Sequence, residues 1–114
     1  MIKKRYEMKT AINEKMRGGT GSVFATSFMD NGTMAHCRLF SQMKLEKGCS
    51  IGKHDHVHET EYYWITGGQG IVTEAEGETI VSKGDLVVTG GGASHAIRNE
   101  EAEPLTFVAL IILD

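Results

Sequence analysis

The amino-acid sequence predicts an all-β fold, and three observations carry this prediction. Glycine accounts for 14 of the 114 residues and proline for 1, a composition that indicates many tight turns. Short apolar segments with alternating polarity recur along the chain and are separated by glycine-rich or polar turns. About nine strands of this kind indicate a β-sandwich or a barrel. We expect one domain, residues 1–114, with an N-terminal segment at 1–21 and the barrel at 22–114.

The N-terminal segment has the weakest pattern. Met8, Ile12 and Met16 are spaced by four residues, which predicts a short helix. The glycine-rich run at 18–21 lacks the Lys-Ser/Thr pair of a phosphate-binding loop, so we expect a turn or a bulge there.

The strands predicted after residue 21 are divided by turn signals. Asp30, Asn31 and Gly32 form a strong hairpin signal. The region 54–65 is long for a single strand and must contain a bend or a bulge. The predicted strands are 22–28, 34–45, 54–65, 71–74, 79–82, 85–89, 95–99 and 105–113.

Charge and apolar content exclude several classes of protein. The net charge of −3 argues against a nucleic-acid partner, because such proteins need a basic face. The apolar run at 105–113 is too short to cross a bilayer, and no apolar segment of a signal peptide follows Met1 and Ile2. We therefore expect a cytoplasmic protein in which Cys37 and Cys49 remain reduced thiols.

Three histidines and one glutamate form the clearest chemical pattern. His54 and His56 are two residues apart, so they share one face of a strand. Glu61 needs a bulge or turn to reach that face, and His95 can enter from a neighbouring strand. Three imidazoles and a carboxylate favour one divalent transition metal per chain (Zn, Mn, Fe, Ni, Co or Cu) over Ca or Mg, which prefer oxygen ligands.

The residues around this pattern resemble a known family. The segments Gly48-x5-His54-x-His56-x4-Glu61-x6-Gly68 and Gly84-x5-Gly90-x-Gly92-x2-His95-x3-Asn99 resemble the two conserved motifs of the cupin superfamily. The spacer between the motifs, residues 69–83, has the short length found in small bacterial cupins. One position departs from the pattern, since Gly90 stands where the second motif usually has a proline.

The resemblance implies an all-β barrel of the cupin type, a jelly roll or double-stranded β-helix, with a metal near one open end. It also implies that His54, His56, Glu61 and His95 are the metal ligands. Single-domain cupins commonly form homodimers through an N-terminal strand that joins the partner's sheet. Residues 22–28, or the residues before them, are the candidates for this strand addition.

Other polar residues lie close to the predicted ligands in sequence. Glu61 is a candidate transient base, and Tyr63 and His58 are candidates for proton transfer together with Glu59. We expect His58 and Glu59 to surround the metal, with direct binding by either residue as the alternative.

Two further groups of residues have alternative interpretations. His36 and Arg38 share one face of a predicted strand. If that face lines the barrel, Arg38 can bind an anionic substrate; if it faces outward, both side chains are simply solvated. Tyr62 and Trp64 are predicted to face away from Tyr63 and to pack in a core or a dimer interface.

These observations predict a metal-dependent enzyme that acts on a small carboxylate, hydroxy-acid or sugar-like substrate. Oxygenase, decarboxylase, isomerase and lyase reactions all occur on this architecture, and the fold does not choose among them. The alternative is a non-catalytic module that binds a small molecule or a metal. A purely structural metal is the third interpretation.

Overall fold

The computed structural model describes all 114 residues and contains ten strands in two antiparallel sheets. The larger sheet has six strands in the order β1-β2-β3-β10-β5-β8, and the smaller has four in the order β4-β9-β6-β7. This confirms the predicted all-β class. The strands are β1 (Lys9–Glu14), β2 (Ser22–Ser27), β3 (Cys37–Leu45), β4 (Ser50–Asp55), β5 (Glu59–Gly67), β6 (Gln69–Glu74), β7 (Gly77–Ser82), β8 (Leu86–Gly90), β9 (Ser94–Arg98) and β10 (Leu105–Leu113).

The predicted N-terminal helix is wrong, because residues Lys9–Glu14 form strand β1. Ile12 is 59% exposed, so the apolar spacing that suggested a helix does not mark a packed face. Pairing with β2 supplies the backbone hydrogen bonds instead, and Thr10 and Thr26 hydroxyls meet at 2.8 Å across the pair. The helical turns Arg5–Glu7 and Met16–Gly18 are three residues each, far from the length of a membrane-spanning helix.

The region 54–65 contains the predicted bend, and the bend moves the chain from one sheet to the other. Strand β4 ends at Asp55 in the four-stranded sheet, and β5 begins at Glu59 in the six-stranded sheet. His58 lies between them with a left-handed backbone (φ 58°), a conformation that permits the sharp change of direction. The connection therefore brings His56, in the turn, and Glu61, on β5, to face each other in the interior.

The hydrophobic core fills the space between the two sheets. Alternate residues of β10 are buried from Leu105 to Ile111, as the period of a strand requires. The largest fully buried side chain is Phe107. The core cluster consists of Val23, Met43, Leu45, Ile51, Tyr63, Ile65, Val72, Val81, Val87, Ile97, Leu105, Phe107 and Ala109.

At the end of the barrel opposite the histidines, the Asn99 side chain connects β3 to the turn between β9 and β10 through hydrogen bonds. Its side chain is fully buried, and its Nδ2 donates to the carbonyl oxygens of Leu45 and Glu103, each at 2.9 Å. Its Oδ1 accepts a hydrogen bond from the Glu101 amide at 2.8 Å. This side chain thereby fixes the turn that leads from β9 into β10.

Candidate metal centre

The three histidines and Glu61 converge on one point inside the barrel. His54 comes from β4, His56 from the turn that follows it, Glu61 from β5 and His95 from β9. The Nε2 atom of His95 lies 3.0 Å from that of His54 and 3.1 Å from that of His56. Glu61 Oε1 lies 2.8 Å from His56 Nε2 and 2.9 Å from His95 Nε2. One ligand atom from each residue lies within 4.8 Å of all the others, and this group could hold a metal ion.

The cluster is almost completely shielded from water. The side chains of His56 and His95 are each 1% exposed, and that of Glu61 is 4% exposed. His54 is the most accessible member, with 8% of its side chain exposed. His54 is therefore the member of the cluster that solvent reaches most readily.

Hydrogen bonds on the far side of each ring set the orientation of the imidazoles. His54 Nδ1 donates to the Gly52 carbonyl oxygen at 2.7 Å, and His56 Nδ1 donates to Glu59 Oε2 at 2.6 Å. Because these partners only accept, the neutral rings of His54 and His56 carry their proton on Nδ1 and turn the lone pair of Nε2 inward. His95 Nδ1 lies 2.8 Å from Thr89 Oγ1.

This arrangement fits a metal ion. Inward-facing lone pairs and a carboxylate oxygen repel one another unless a cation lies between them. Two ligands bound about 2.1 Å from a metal at right angles are separated by about 3.0 Å, close to the nitrogen and oxygen separations in the cluster. The ligand atoms therefore match neighbouring positions around a single ion.

Electrostatics give the cluster the protonation states of metal ligands. Burial would raise the pKa of Glu61, but the surrounding imidazoles of His54, His95 and His56 lower it to about 2. Burial lowers the pKa of His95. The Glu61 carboxylate raises this pKa, but not enough to return it to its ordinary value. Glu61 is therefore anionic and His95 neutral near pH 7, as metal coordination requires.

Comparison with known proteins identifies the family. The sequence model of the cupin domain family Cupin_2 matches residues 41–111, which include all four members of the cluster. This chain belongs to the cupin family.

Two comparisons with proteins of Thermotoga maritima extend over nearly the whole cupin chain. A relative named oxalate-binding protein is 35% identical over 114 residues, covering 99% of this chain and 94% of the relative. A crystal structure described as a predicted oxalate decarboxylase has a TM-score of 0.94 and 35% identity, and covers 100% of both chains. A cupin-2 domain from Rhodospirillum rubrum resembles this cupin in fold, with a TM-score of 0.79. The two chains are 15% identical, and the match covers 100% of this chain and 75% of the Rhodospirillum chain.

Among the predicted proton-transfer residues of this cupin, Tyr63 lies beside the cluster. Its ring stacks on His95 with 4.8 Å between centroids and an angle of 16°. Burial and the neighbouring Glu61 carboxylate raise the pKa of Tyr63 well above 10, so its hydroxyl stays protonated. His58 is exposed in the turn between β4 and β5, and its carbonyl oxygen accepts from the Asp114 amide at 3.1 Å.

Glu59 and Arg38 have a relationship that sequence reasoning missed. Arg38 Nε and Nη2 donate to the two carboxylate oxygens of Glu59 at 2.9 and 2.7 Å. This pairing and the bond to His56 Nδ1 place the Glu59 carboxylate behind the imidazole, so direct metal binding by Glu59 does not fit. Arg38 therefore binds a carboxylate of the protein, that of Glu59, and not the carboxylate of a substrate. His36 is exposed outside the cluster.

A large groove of this cupin lies away from the histidine cluster. It has a volume of about 730 Å³ and lies on the outer face of the six-stranded sheet. Tyr62 and Trp64 line it, as expected for side chains that point away from Tyr63. The remaining lining residues are Phe28, Phe40, Gly84, Leu86, Val108 and Leu110.

Proposed function

We propose that this cupin, as one domain of residues 1–114, holds one divalent transition metal at His54, His56, Glu61 and His95. We further propose that it uses the metal as an enzyme on a small carboxylate, with oxalate as the first candidate. The observation that carries the proposal is the inward orientation of two imidazole lone pairs toward an anionic carboxylate. Zn, Mn, Fe, Ni, Co and Cu all accept this mixed nitrogen and oxygen ligand set.

The bound metal would act as a Lewis acid that polarises a carboxylate oxygen of the substrate. The chain itself supplies the surrounding groups. The protonated Tyr63 hydroxyl, in a side chain that is 2% exposed, can donate a hydrogen bond next to His95 and is the candidate for proton transfer there. Glu61 is a ligand and a candidate transient base, and His58 is the candidate for proton exchange with solvent at the rim.

Two findings support a small carboxylate as the ligand. The cluster is enclosed, and its most accessible member, His54, is only 8% exposed, which favours a compact molecule over an extended one. The Thermotoga maritima relative that is 35% identical is named an oxalate-binding protein. A two-carbon dicarboxylate satisfies both findings.

A non-catalytic module that binds a small carboxylate is the second candidate function. The residues around the cluster include few groups that can accept a proton, and this supports the second candidate. Glu59 is paired with Arg38 and His56, and the pKa of Tyr63 is raised so far that it does not ionise near neutral pH. A decarboxylase or oxidase needs a group that exchanges protons with the substrate or product.

The first experiment tests the metal site. Metal content is measured for protein purified without a nickel column, for wild type and for His95→Ala, with the exposed His36→Ala as matched control. We expect about one transition metal per chain in wild type and in the control, and loss of it in His95→Ala. Wild-type protein that contains no metal and takes up none on titration contradicts the proposal.

The metal-loaded protein is then titrated with oxalate in a calorimeter and assayed for formate, carbon dioxide and oxygen consumption. Binding with turnover supports the enzyme. Binding without turnover supports the module that only binds the ligand. Absence of oxalate binding by the loaded protein excludes oxalate and leaves the other carboxylates and sugar-like molecules to be tested.

We also propose that this cupin forms a homodimer through the outer face of its six-stranded sheet. Trp64 is 56% exposed and Leu86 is 59% exposed on this face, an unusual exposure for large apolar side chains. The groove they line has no charged residue, so its partner must also be apolar, and an identical face in a second copy satisfies this requirement. Strand β1 has no buried residue and forms the edge of the same sheet, where the second copy can cover it or pair with it.

We propose a cytoplasmic location. Cys37 and Cys49 are both free, which agrees with a reducing compartment. Fractionation of cells that produce the untagged chain tests this location, and recovery from a secreted or membrane fraction contradicts it.

A further inference from the structure

We propose that Arg38 and Glu59 are positioning residues that make His56 a stronger metal ligand than His54 or His95. The inference rests on the metal site proposed above. It assigns a role to an ion pair that includes no predicted metal ligand.

The Glu59 carboxylate is fully occupied by two partners. Its Oε2 accepts from His56 Nδ1 at 2.6 Å and from Arg38 Nη2 at 2.7 Å, and its Oε1 accepts from Arg38 Nε at 2.9 Å. The Glu59 side chain is 11% exposed and the His56 side chain is 1% exposed. Arg38, with 47% of its side chain exposed, links this buried carboxylate to the surface.

A β-bulge brings Arg38 to this position. On β3, Cys37 pairs with Ile112 of β10 and Leu39 pairs with the preceding Ile111, so Arg38 is an extra residue without a partner in the register. Bulges redirect side chains and occur often beside functional sites. Here the redirected arginine reaches across β10 to Glu59, at the start of β5.

The three imidazoles differ in the partner of Nδ1. His54 faces the neutral carbonyl of Gly52, and His95 faces the neutral hydroxyl of Thr89. His56 alone faces a carboxylate. A charged acceptor forms a stronger hydrogen bond than a neutral one, and it increases the basicity of the opposite ring nitrogen toward a metal.

Arg38 is needed because a carboxylate that is this buried is costly without a cation. The bidentate contact also fixes the plane of the carboxylate, and with it the direction in which His56 points Nε2. Arg38 therefore acts on the metal site through Glu59, without contact with a ligand atom.

The test measures Zn²⁺ affinity by competition with a chelator for wild type, Glu59→Leu, Glu59→Gln and Arg38→Met. We expect Glu59→Leu to weaken Zn²⁺ binding by about 10- to 100-fold, as is typical for such partners of metal-bound histidine. Glu59→Gln keeps an acceptor but not the charge, so its Zn²⁺ affinity should decrease less. The double variant Arg38→Met/Glu59→Leu should bind Zn²⁺ no more weakly than Glu59→Leu, because Arg38 acts through Glu59. The matched controls are Glu78→Leu and Arg98→Met, which break a similar ion pair on the surface and should leave the affinity unchanged.

A second measurement reads the His56 ring directly, by long-range ¹H–¹⁵N correlation spectra of the imidazoles in apo and Zn²⁺-loaded protein. We expect a proton on His56 Nδ1 in wild type, and loss of that fixed state in Glu59→Leu while His54 and His95 keep theirs. Equal Zn²⁺ affinity and unchanged His56 signals in the folded variants would overturn the inference. If wild type binds neither Zn²⁺ nor another divalent transition metal, the proposed function fails, and the apo spectra still decide whether Glu59 positions His56. If Glu59→Leu does not fold, Glu59→Gln and Arg38→Met give the decision.

Discussion

Thr89 Oγ1 lies 2.8 Å from Nδ1 of His95, and this contact links the last residues of β8 to the predicted metal ligand on β9. Thr89 is 2% exposed, so the contact is shielded from water. Each ring in the cluster therefore has one partner outside it: a carbonyl for His54, a carboxylate for His56 and a hydroxyl for His95. Contacts within the chain itself therefore orient all three rings.

Replacement of Thr89 by valine should weaken metal binding by about 10-fold, the lower end of the effect for such partners. Valine keeps the shape of threonine but removes the hydroxyl that orients His95. Calorimetric titration with Zn²⁺ measures the change. Thr79→Val, at an exposed position of β7, is the matched control and should bind Zn²⁺ like wild type. Unchanged affinity in Thr89→Val would show that the hydroxyl does not position His95.

Replacement of Asn99 by alanine should lower the free energy of unfolding by about 2 to 4 kcal/mol. The variant leaves the Leu45 and Glu103 carbonyls and the Glu101 amide without their partner. Urea denaturation measures the loss. Asn31→Ala, in an exposed turn, should change the same quantity by no more than about 0.5 kcal/mol. Equal stability of both variants would contradict the structural role of Asn99.

Replacement of Gly52 by alanine should both destabilise the fold, by about 1 to 3 kcal/mol, and weaken metal binding. A Cβ at this position collides with the carbonyl oxygen of Arg17, in the turn Met16–Gly18 that packs on β4. Movement of Gly52 also displaces the carbonyl that orients His54. Thermal unfolding and Zn²⁺ titration measure the two effects.

The control for this variant is Gly32→Ala. Gly32 has φ +81° and open space around it, so alanine there should cost about 1 to 2 kcal/mol of backbone strain. Its metal affinity should not change, because Gly32 is exposed and a Cβ at this position meets no atom within 4 Å. Loss of metal affinity in both variants would point to a general effect of destabilisation and would remove the specific role of Gly52.

Acid should destabilise the metal-free protein in two stages. The pKa of His95 is below its ordinary 6.5, so its contribution to stability is complete above pH 6.5 and decreases as the pH falls below that value. Hydrogen bonds from Arg38 hold the pKa of Glu59 at about 2, and that of Glu61 is also about 2, both below the ordinary 4.5. Their contributions are complete above pH 4.5 and are lost as the pH falls toward 2.

Calorimetric melting temperatures of the apo protein between pH 8 and pH 2 test this behaviour. We expect a shallow decrease below pH 6.5 and a steep decrease below pH 4.5. Glu59→Gln, which removes one of the two carboxylates, should reduce the steep decrease. A melting temperature that stays constant or rises on acidification would contradict the assignment.

Replacement of Trp64 by glutamate should convert the proposed dimer to a monomer. The charge would be buried against an apolar surface of the second copy, at a cost of several kcal/mol. Light scattering coupled to size-exclusion chromatography measures the mass. Ile80→Glu is the control, since Ile80 is 64% exposed in the other sheet. A wild-type protein that elutes as a monomer, or a dimer that Trp64→Glu does not affect, excludes this face as the interface.

The sequence by itself determined the all-β class, the cupin family and the four residues that the structure brings together. It could do so because turn residues and a two-residue period are local signals, and because His54, His56, Glu61 and His95 stand at spacings characteristic of the family. The prediction of an N-terminal helix was wrong, because an apolar spacing of four residues does not show whether a neighbouring strand is available for pairing. Here β2 is available, and β1 pairs with it.

Only the tertiary structure decided the partners of the imidazoles. Arg38 reaches Glu59 across β10, and Thr89 reaches His95 from β8, through strand registers that no local pattern specifies. The same holds for the apolar outer face, which forms when Phe28, Trp64 and Leu86 come together from three strand regions far apart in sequence. Side-chain period shows on which face of a strand a residue lies, but the register between distant strands decides which residues meet there, and that depends on the packing of the whole barrel.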